Sequence, residues 1–197
     1  MKKEVPRNPI TPKLNQRTID LLTDLCFRKD GEISTTDAIF IFSSGIYTKE
    51  IAELVEDLLE KNVSKKVFIP GGVTRHYDSE KLQLSESDLV LEKINVTRFS
   101  GVDFVQEKKS TNTLENVLKI MEIFNLNELE SILFISKSYA AGRSYLTLKK
   151  YVYQTRIFQK TYNTKYPEAA YEISRNKWYE FNFGRERVWG EFLRIEK

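Results

Sequence analysis

Cysteine and histidine are nearly missing: one of each stands in 197 residues. A single cysteine makes no intramolecular disulfide and no cysteine-based metal site, and it fits a reducing compartment. Cys26 lies in an apolar helical stretch with Leu21, Leu22 and Leu25, so a buried thiol is expected there rather than a nucleophile. A single histidine builds no histidine metal site. His76, in the loop R-H-Y-D, reads as a surface side chain, with a general base as the alternative. No metal is expected. Long apolar runs are absent too, and none approaches the roughly 20 residues of a membrane span. The opening MKKEVPRNPITPK is charged and punctuated by proline, unlike a signal peptide. A soluble, cytoplasmic protein without a membrane span is expected. Excess charge of one sign is lacking as well. The 31 basic residues face 28 acidic ones for a net +3, too weak a bias to point to nucleic acid. Finally, neither G-x-G-x-x-G nor G-x-x-x-x-G-K-[ST] occurs, which removes the ordinary dinucleotide fold and the P-loop.

What remains is an ordinary globular composition, 41% hydrophobic and 30% charged, with a strict alternation of short apolar runs and amphipathic stretches. Residues 1–12, with Pro6, Pro9 and Pro12, form an irregular lead-in, and Lys13 to Arg28 a helix. D-A-I-F-I-F at Asp37–Phe42 is continuous and apolar, as in a strand buried on both faces. A helix from Lys49 to Asn62 follows. Lys66–Pro70 is the second strand, with a helix from Glu80 to Ile94 after its loop. Val102–Val105 is the third, with a helix from Thr113 to Phe124. Ser131–Ile135 is the fourth, with a helix from Tyr139 to Lys150. Val152–Phe158 is the fifth. Two helical stretches are expected beyond it, near Glu168–Arg175 and Arg185–Ile195. This spacing predicts one doubly wound α/β domain over 1–197, with a mainly parallel five-stranded sheet and extra N- and C-terminal helices. Residues 1–36 form the lead-in and first helix, and the core starts at about residue 37.

In such a sheet, ligands bind outside the carboxyl ends of the strands. The residues there are Ser43-Ser44-Gly45, Gly71-Gly72-Val73-Thr74-Arg75, Glu107 through Asn116, and Ser136-Lys137-Ser138 with Arg143. Glycines admit a ligand to the backbone, hydroxyls donate, and the cations neutralise an anion. The candidate ligand-binding residues are therefore Ser43, Ser44, Gly45, Gly71, Gly72, Ser110, Asn112, Thr113, Asn116, Ser136, Lys137, Ser138 and Arg143. A phosphate, carboxylate or nucleotide suits them. Asn112 with Glu115 also has the spacing of a helix capping box. Glu107 is the acid–base candidate, with a carboxylate holding Lys137 or Arg143 as the alternative. The tail, rich in Tyr and Trp among Lys and Arg, fits helix packing with snorkelling cations better than stacked bases.

The stretch E-x-x-S-x-N-T-x-E-N at Glu107, Ser110, Asn112, Thr113, Glu115 and Asn116 resembles the central motif of the YdcF/SanA/ElyC-like family. So do the D-A-I-F-I-F strand, P-G-G followed by Ser85-Glu86-Ser87, I-S-K-S-Y…R at Ile135–Arg143, and the V-W-G-E-F-L-R-I ending. The resemblance covers roughly residues 37 to 197. It implies a Rossmann-like fold and a bound small ligand, with S-adenosylmethionine suggested for one branch. Two departures stand out. The glycine-rich first turn of the family is Ser43-Ser44-Gly45 here, and Ala140-Ala141 occupy the place where many members carry a histidine. The expected function is binding of a nucleotide-like or phosphorylated small molecule, with group transfer or hydrolysis as the reaction. The missing histidine makes a non-catalytic ligand-sensing module the alternative.

Overall fold

The computed structural model describes residues 5–6, 8–33, 35–72, 84–165 and 171–196. Its contacts divide the chain into two compact units. One comprises 30–136 and 147–160; the other comprises the chain up to Lys29, Lys137–Leu146, and the chain from Thr161.

The first unit is built on a sheet. Strands β1 (Ala38–Ile41), β2 (Lys66–Pro70), β3 (Asp103–Glu107), β4 (Ser131–Lys137) and β5 (Arg156–Tyr162) lie in the order β3-β2-β1-β4-β5, all parallel. β1 aligns Phe40 with Phe68 on one side and Phe134 on the other, and β2 aligns Pro70 with Glu107 of β3. A parallel sheet covered on both faces needs apolar residues at consecutive positions. Ile39, Phe40, Ile41, Val67, Phe68, Ile69 and Ile132 through Ile135 are accordingly all solvent-inaccessible, each worth about 1.5–3 kcal/mol of burial. The helices are α2 (Thr48–Glu60), α3 (Glu86–Leu91), α4 (Thr113–Met121) and α5 (Ala141–Tyr151), the last beginning in the other unit. α2 buries Ile51, Val55, Leu58 and Leu59, and α4 buries Val117 and Ile120, one stripe each at helical spacing. The strand order, with parallel pairing throughout, is Rossmann-like and doubly wound, as the alternating pattern predicts.

Several ends shift by two or three residues, the first helix starting at Gln16 rather than Lys13 and β3 ending at Glu107 rather than Val105, and three larger differences have a local cause. The helix predicted from Glu80 starts at Glu86; residues 80–83 lie outside the described residues, and Ser85 sets the start. Ser85 Oγ accepts from the Asp88 amide at 3.0 Å while the Asp88 carboxylate accepts from the Ser85 amide at 3.2 Å, a reciprocal cap. The fifth strand starts at Arg156, not Val152. Val152 is buried because its amide still bonds Leu148 at the end of α5, and Thr155 then ties the turn to the Leu129 carbonyl at 2.8 Å. The helix predicted near Glu168–Arg175 is also corrected, its residues 168–170 lying outside the described residues. Glu172–Ile173 is strand β7, antiparallel to β6 (Thr164–Lys165). Ile173 is fully buried in that pair, and burial outweighs the weak local helical pattern.

The second unit packs α1 (Gln16–Cys26) and α6 (Asn182–Ile195) with the 3₁₀ turns Ser138–Ala140 and Trp178–Glu180. Asn15 caps α1 by accepting from the Thr18 amide at 2.9 Å. Trp178 is fully buried, stacks on Phe27 and donates to Thr23 Oγ1 at 2.8 Å. Arg175 closes the far end of α1 by donating to the Thr23 and Phe27 carbonyls and pairing with Asp24. Cys26 is buried as expected, donating to the Val188 carbonyl, and burial, aided by the Glu191 charge, pushes its thiol up to about 12. Among the described residues no helix is long and apolar enough to cross a membrane.

α5 begins against α1 so closely that a Cβ at Gly142 would lie 1.8 Å from the Leu25 carbonyl oxygen. Gly142→Ala is therefore expected to cost about 3 kcal/mol or more, since rigid backbone meets the added methyl. Gly31, where an added methyl would have nothing within 4 Å, is the control, and Gly31→Ala should lose nothing. Urea unfolding of both variants measures the contrast.

Candidate functional site

The strand order places β1 between β2 and β4, so the chain winds outward from β1 in two directions and the switch point falls at the β1–β4 boundary. Crevices in this topology open at the carboxyl ends of the strands near that point. In the sheet unit those ends are Ser43-Ser44-Gly45, Gly71-Gly72, the turn after Glu107, and Ser136.

Backbone hydrogen bonds bring two of the four together with the start of α3, and a side chain adds a third. The Gly71 amide donates to the Glu107 carbonyl at 2.9 Å and the Gly72 amide to the Ser110 carbonyl at 2.7 Å. The Glu86 and Ser87 amides donate back to the Gly72 and Gly71 carbonyls, both at 3.0 Å. There is no room for side chains in this crossing. A Cβ at Gly71 would stand 2.9 Å from Glu86 Cβ and 3.0 Å from Ser43 Cβ, and its φ of +153° already disfavours one. At Gly72 a Cβ would stand 2.7 Å from the Ser110 carbonyl oxygen. Gly45 joins the group by donating its amide to Glu86 Oε1 at 3.1 Å. Glu86 is thus a site residue that reasoning from strand ends misses. It comes from the start of α3, and the Ser85–Asp88 capping spacing is the signal that marks it.

Glu107 is buried at 8% exposure. Its carboxylate is neither free nor solvent-facing: Oε1 accepts from the Lys109 amide and, at 3.0 Å, from the Ser110 amide. Those bonds curl residues 107–110 into the turn that Gly72 meets. Asn112 acts as the N-cap of α4, accepting from the Glu115 amide at 3.0 Å. Glu115 reaches one residue further back than a capping box requires, accepting from the Thr111 amide and hydroxyl, both at 2.8 Å. The Thr111 hydroxyl and amide together draw the Glu115 carboxyl below its ordinary range. Thr113 opens the helix and Ser44 is buried beside Ser43 in the chain.

Two polar groups at this edge are uncommitted among the described residues: Ser43 Oγ and Ser110 Oγ are buried atoms with no hydrogen-bond partner. Asn116, only 7% exposed, stands on the first turn of α4, after them in the chain order. Buried polar groups are nearly always satisfied, so an unpartnered pair of them at the strand ends calls for an explanation.

Lys137, Ser138 and Arg143 belong to the other unit. Ser138 donates to the Ile173 carbonyl at 3.4 Å, and Arg143 forms a two-pronged pair with Glu191. Burial opposes the Arg143 charge, but Glu191 outweighs it and raises the guanidinium further above its ordinary value. Val73, Thr74, Arg75 and His76 lie outside the described residues. Among the described residues no cluster of three or more His, Cys, Asp or Glu could hold a metal ion. No protein-family model matches the chain, and no curated protein matches it either.

Glu107→Ala strands two backbone amides, one of them buried, and should cost about 2–3 kcal/mol, whereas Glu107→Gln keeps one acceptor and loses less. Urea midpoints with an unchanged slope measure this. A second outcome concerns pH. Burial raises the Asp88 carboxyl, but hydrogen bonds from Lys108, Ser85 and Gln106 outweigh it and hold the group down to about 2, below its ordinary 3.8. A depressed carboxyl stabilises the fold above its ordinary value and loses that contribution as pH falls through the folded one. The melting temperature of the wild type should therefore exceed that of Asp88→Asn at pH 5, with the gap closing as pH approaches 2.

Proposed function

We propose that the carboxyl edge of the sheet unit binds a small, oxygen-rich molecule, nucleotide-like or phosphorylated. The observation that carries this reading is the pair of buried, unpartnered hydroxyls at Ser43 and Ser110, which flank the side-chain-free backbone of Gly71 and Gly72. A buried hydroxyl without a partner costs about 1–3 kcal/mol. Two of them at the place where this topology admits ligands support an occupant whose oxygens accept from them. S-adenosylmethionine, implied by the YdcF/SanA/ElyC-like resemblance, is the first compound to try, since its ribose and carboxylate supply such oxygens. The reading rests on the sheet unit alone. Between turnover and ligand sensing, the engagement of Glu107 with its own turn favours sensing. A group-transfer or hydrolytic enzyme would need that carboxylate to release the Lys109 and Ser110 amides first.

Thermal-shift measurements against S-adenosylmethionine, S-adenosylhomocysteine, nucleotides and sugar phosphates test the proposal. A ligand at a hundred times its Kd should stabilise the wild type by about 2.7 kcal/mol. The double variant Ser43→Ala, Ser110→Ala should be at least as stable as the wild type without ligand, because it removes two unpaired buried groups, and it should lose the ligand shift. No shift with any compound, or an equal shift in the double variant, overturns the proposal.

A further inference from the structure

The helical unit has a cavity of about 500 Å³, a volume that suits a small organic molecule. One wall is the segment Ile10–Leu14, and the other is the start of α6 with the preceding turn, through Tyr179, Asn182 and Arg185. The first wall is held at both ends. Upstream, Arg194 of α6 donates to the Pro6 carbonyl at 3.0 Å, and Pro9 packs where a Cβ on Gly190 would touch it at 3.4 Å. Downstream, Asn15 caps α1. Pro9 and Pro12 restrict the backbone between these anchors, so the wall is set before any ligand arrives.

The lining combines two chemistries. Ile10, Leu14 and Ile19 are apolar, and Ile10 leaves 95% of its surface in solvent. Lys13 and Arg185 bring two positive charges against the one negative charge of Glu186. Arg185 is fixed at the first turn of α6 by donating to the Tyr179 carbonyl at 2.8 Å and to Asn182 Oδ1. α6 starts without a side-chain cap, which leaves the positive end of a 14-residue helix at the same wall. The Thr11 hydroxyl, also in the lining, is buried and has no hydrogen-bond partner among the described residues.

We infer that this cavity is a second binding site, for a monoanion with a short hydrocarbon portion: an aliphatic carboxylate whose head group lies between Lys13 and Arg185 and accepts from Thr11. One surplus positive charge matches one negative charge, and the Glu186 carboxylate disfavours a dianion such as phosphate. The hydrocarbon covers Ile10, Leu14 and Ile19, which phosphate would leave wet.

Titration calorimetry of the full chain with octanoate tests the inference, with octanol and inorganic phosphate as comparison probes. Octanoate should bind saturably at one site, and more tightly than either comparison probe. Lys13→Glu, an exposed substitution ahead of the α1 cap, should weaken it by roughly tenfold or more, and Thr11→Val should weaken it while leaving the melting temperature unchanged. Absence of saturable octanoate binding, equal affinity in Lys13→Glu, or phosphate binding as tightly as octanoate overturns the assignment. So does a wild-type dimer in sedimentation that Ile10→Asp separates, which would give the cavity to a second copy of the chain.

Discussion

The candidate site in the sheet unit depends on a backbone crossing at Gly71-Gly72. There the chain leaves β2, passes within a methyl group's reach of Ser43, Glu86 and the Lys108–Ser110 backbone, and enters the approach to α3. Four amide-to-carbonyl bonds hold the crossing, so the β2 and β3 ends and the start of α3 are fixed relative to one another by main chain, and the Glu86 carboxylate adds the β1 end through Gly45. That has a chemical consequence. Once the backbone has done the holding, short polar side chains at the same edge are not needed for it, and Ser43 and Ser110 are left uncommitted.

Behind the crossing stands a core that makes the edge rigid. Phe40 touches Phe42 and Phe68, Phe42 meets Phe134, and Phe68 meets Phe124, with ring centroids 5.0 to 6.4 Å apart. These rings link β1, β2 and β4 with the segment that follows α4. Aromatic contacts of this kind add about 0.5–1.5 kcal/mol each beyond area burial. Close packing also transmits any displacement, so the strand ends carry the geometry of the whole sheet to the site.

Most of this fold was legible because local and tertiary preferences agree. Lys66–Pro70 is continuous, apolar and bounded by glycines, and it forms a strand over those same residues. Disagreement arose where burial overrides pattern. Val152 is apolar but serves the end of α5, and Ile173 is drawn into a two-residue strand by its pairing with Thr164. The placing of the serines and glycines at strand ends was legible, since strand ends are predictable in a parallel sheet. Strand ends alone do not point to Glu86, whose backbone and carboxylate reach Gly72 and Gly45 from a helix start. The partnership of Arg143 with Glu191, 48 residues apart, also has no local signature, because both ends belong to helices whose faces are set by tertiary packing.

The distribution of committed and uncommitted groups bears on what the sheet edge does. Among the described residues the acids there are already used: Glu107 by its own turn, Glu115 by Thr111, Asp88 by Ser85, Gln106 and Lys108, and Glu86 by Gly45. The groups left over among the described residues are the Ser43 and Ser110 hydroxyls, which are neutral at any ordinary pH. Proton transfer needs a group whose charge changes near the working pH; recognition of a ligand needs only fixed donors, which act more strongly out of water than in it. This distribution supports the proposed recognition of a ligand at the edge. Turnover there would require Glu107 to give up the bonds that shape the turn beside Gly72, and so to loosen the crossing on which the site itself depends.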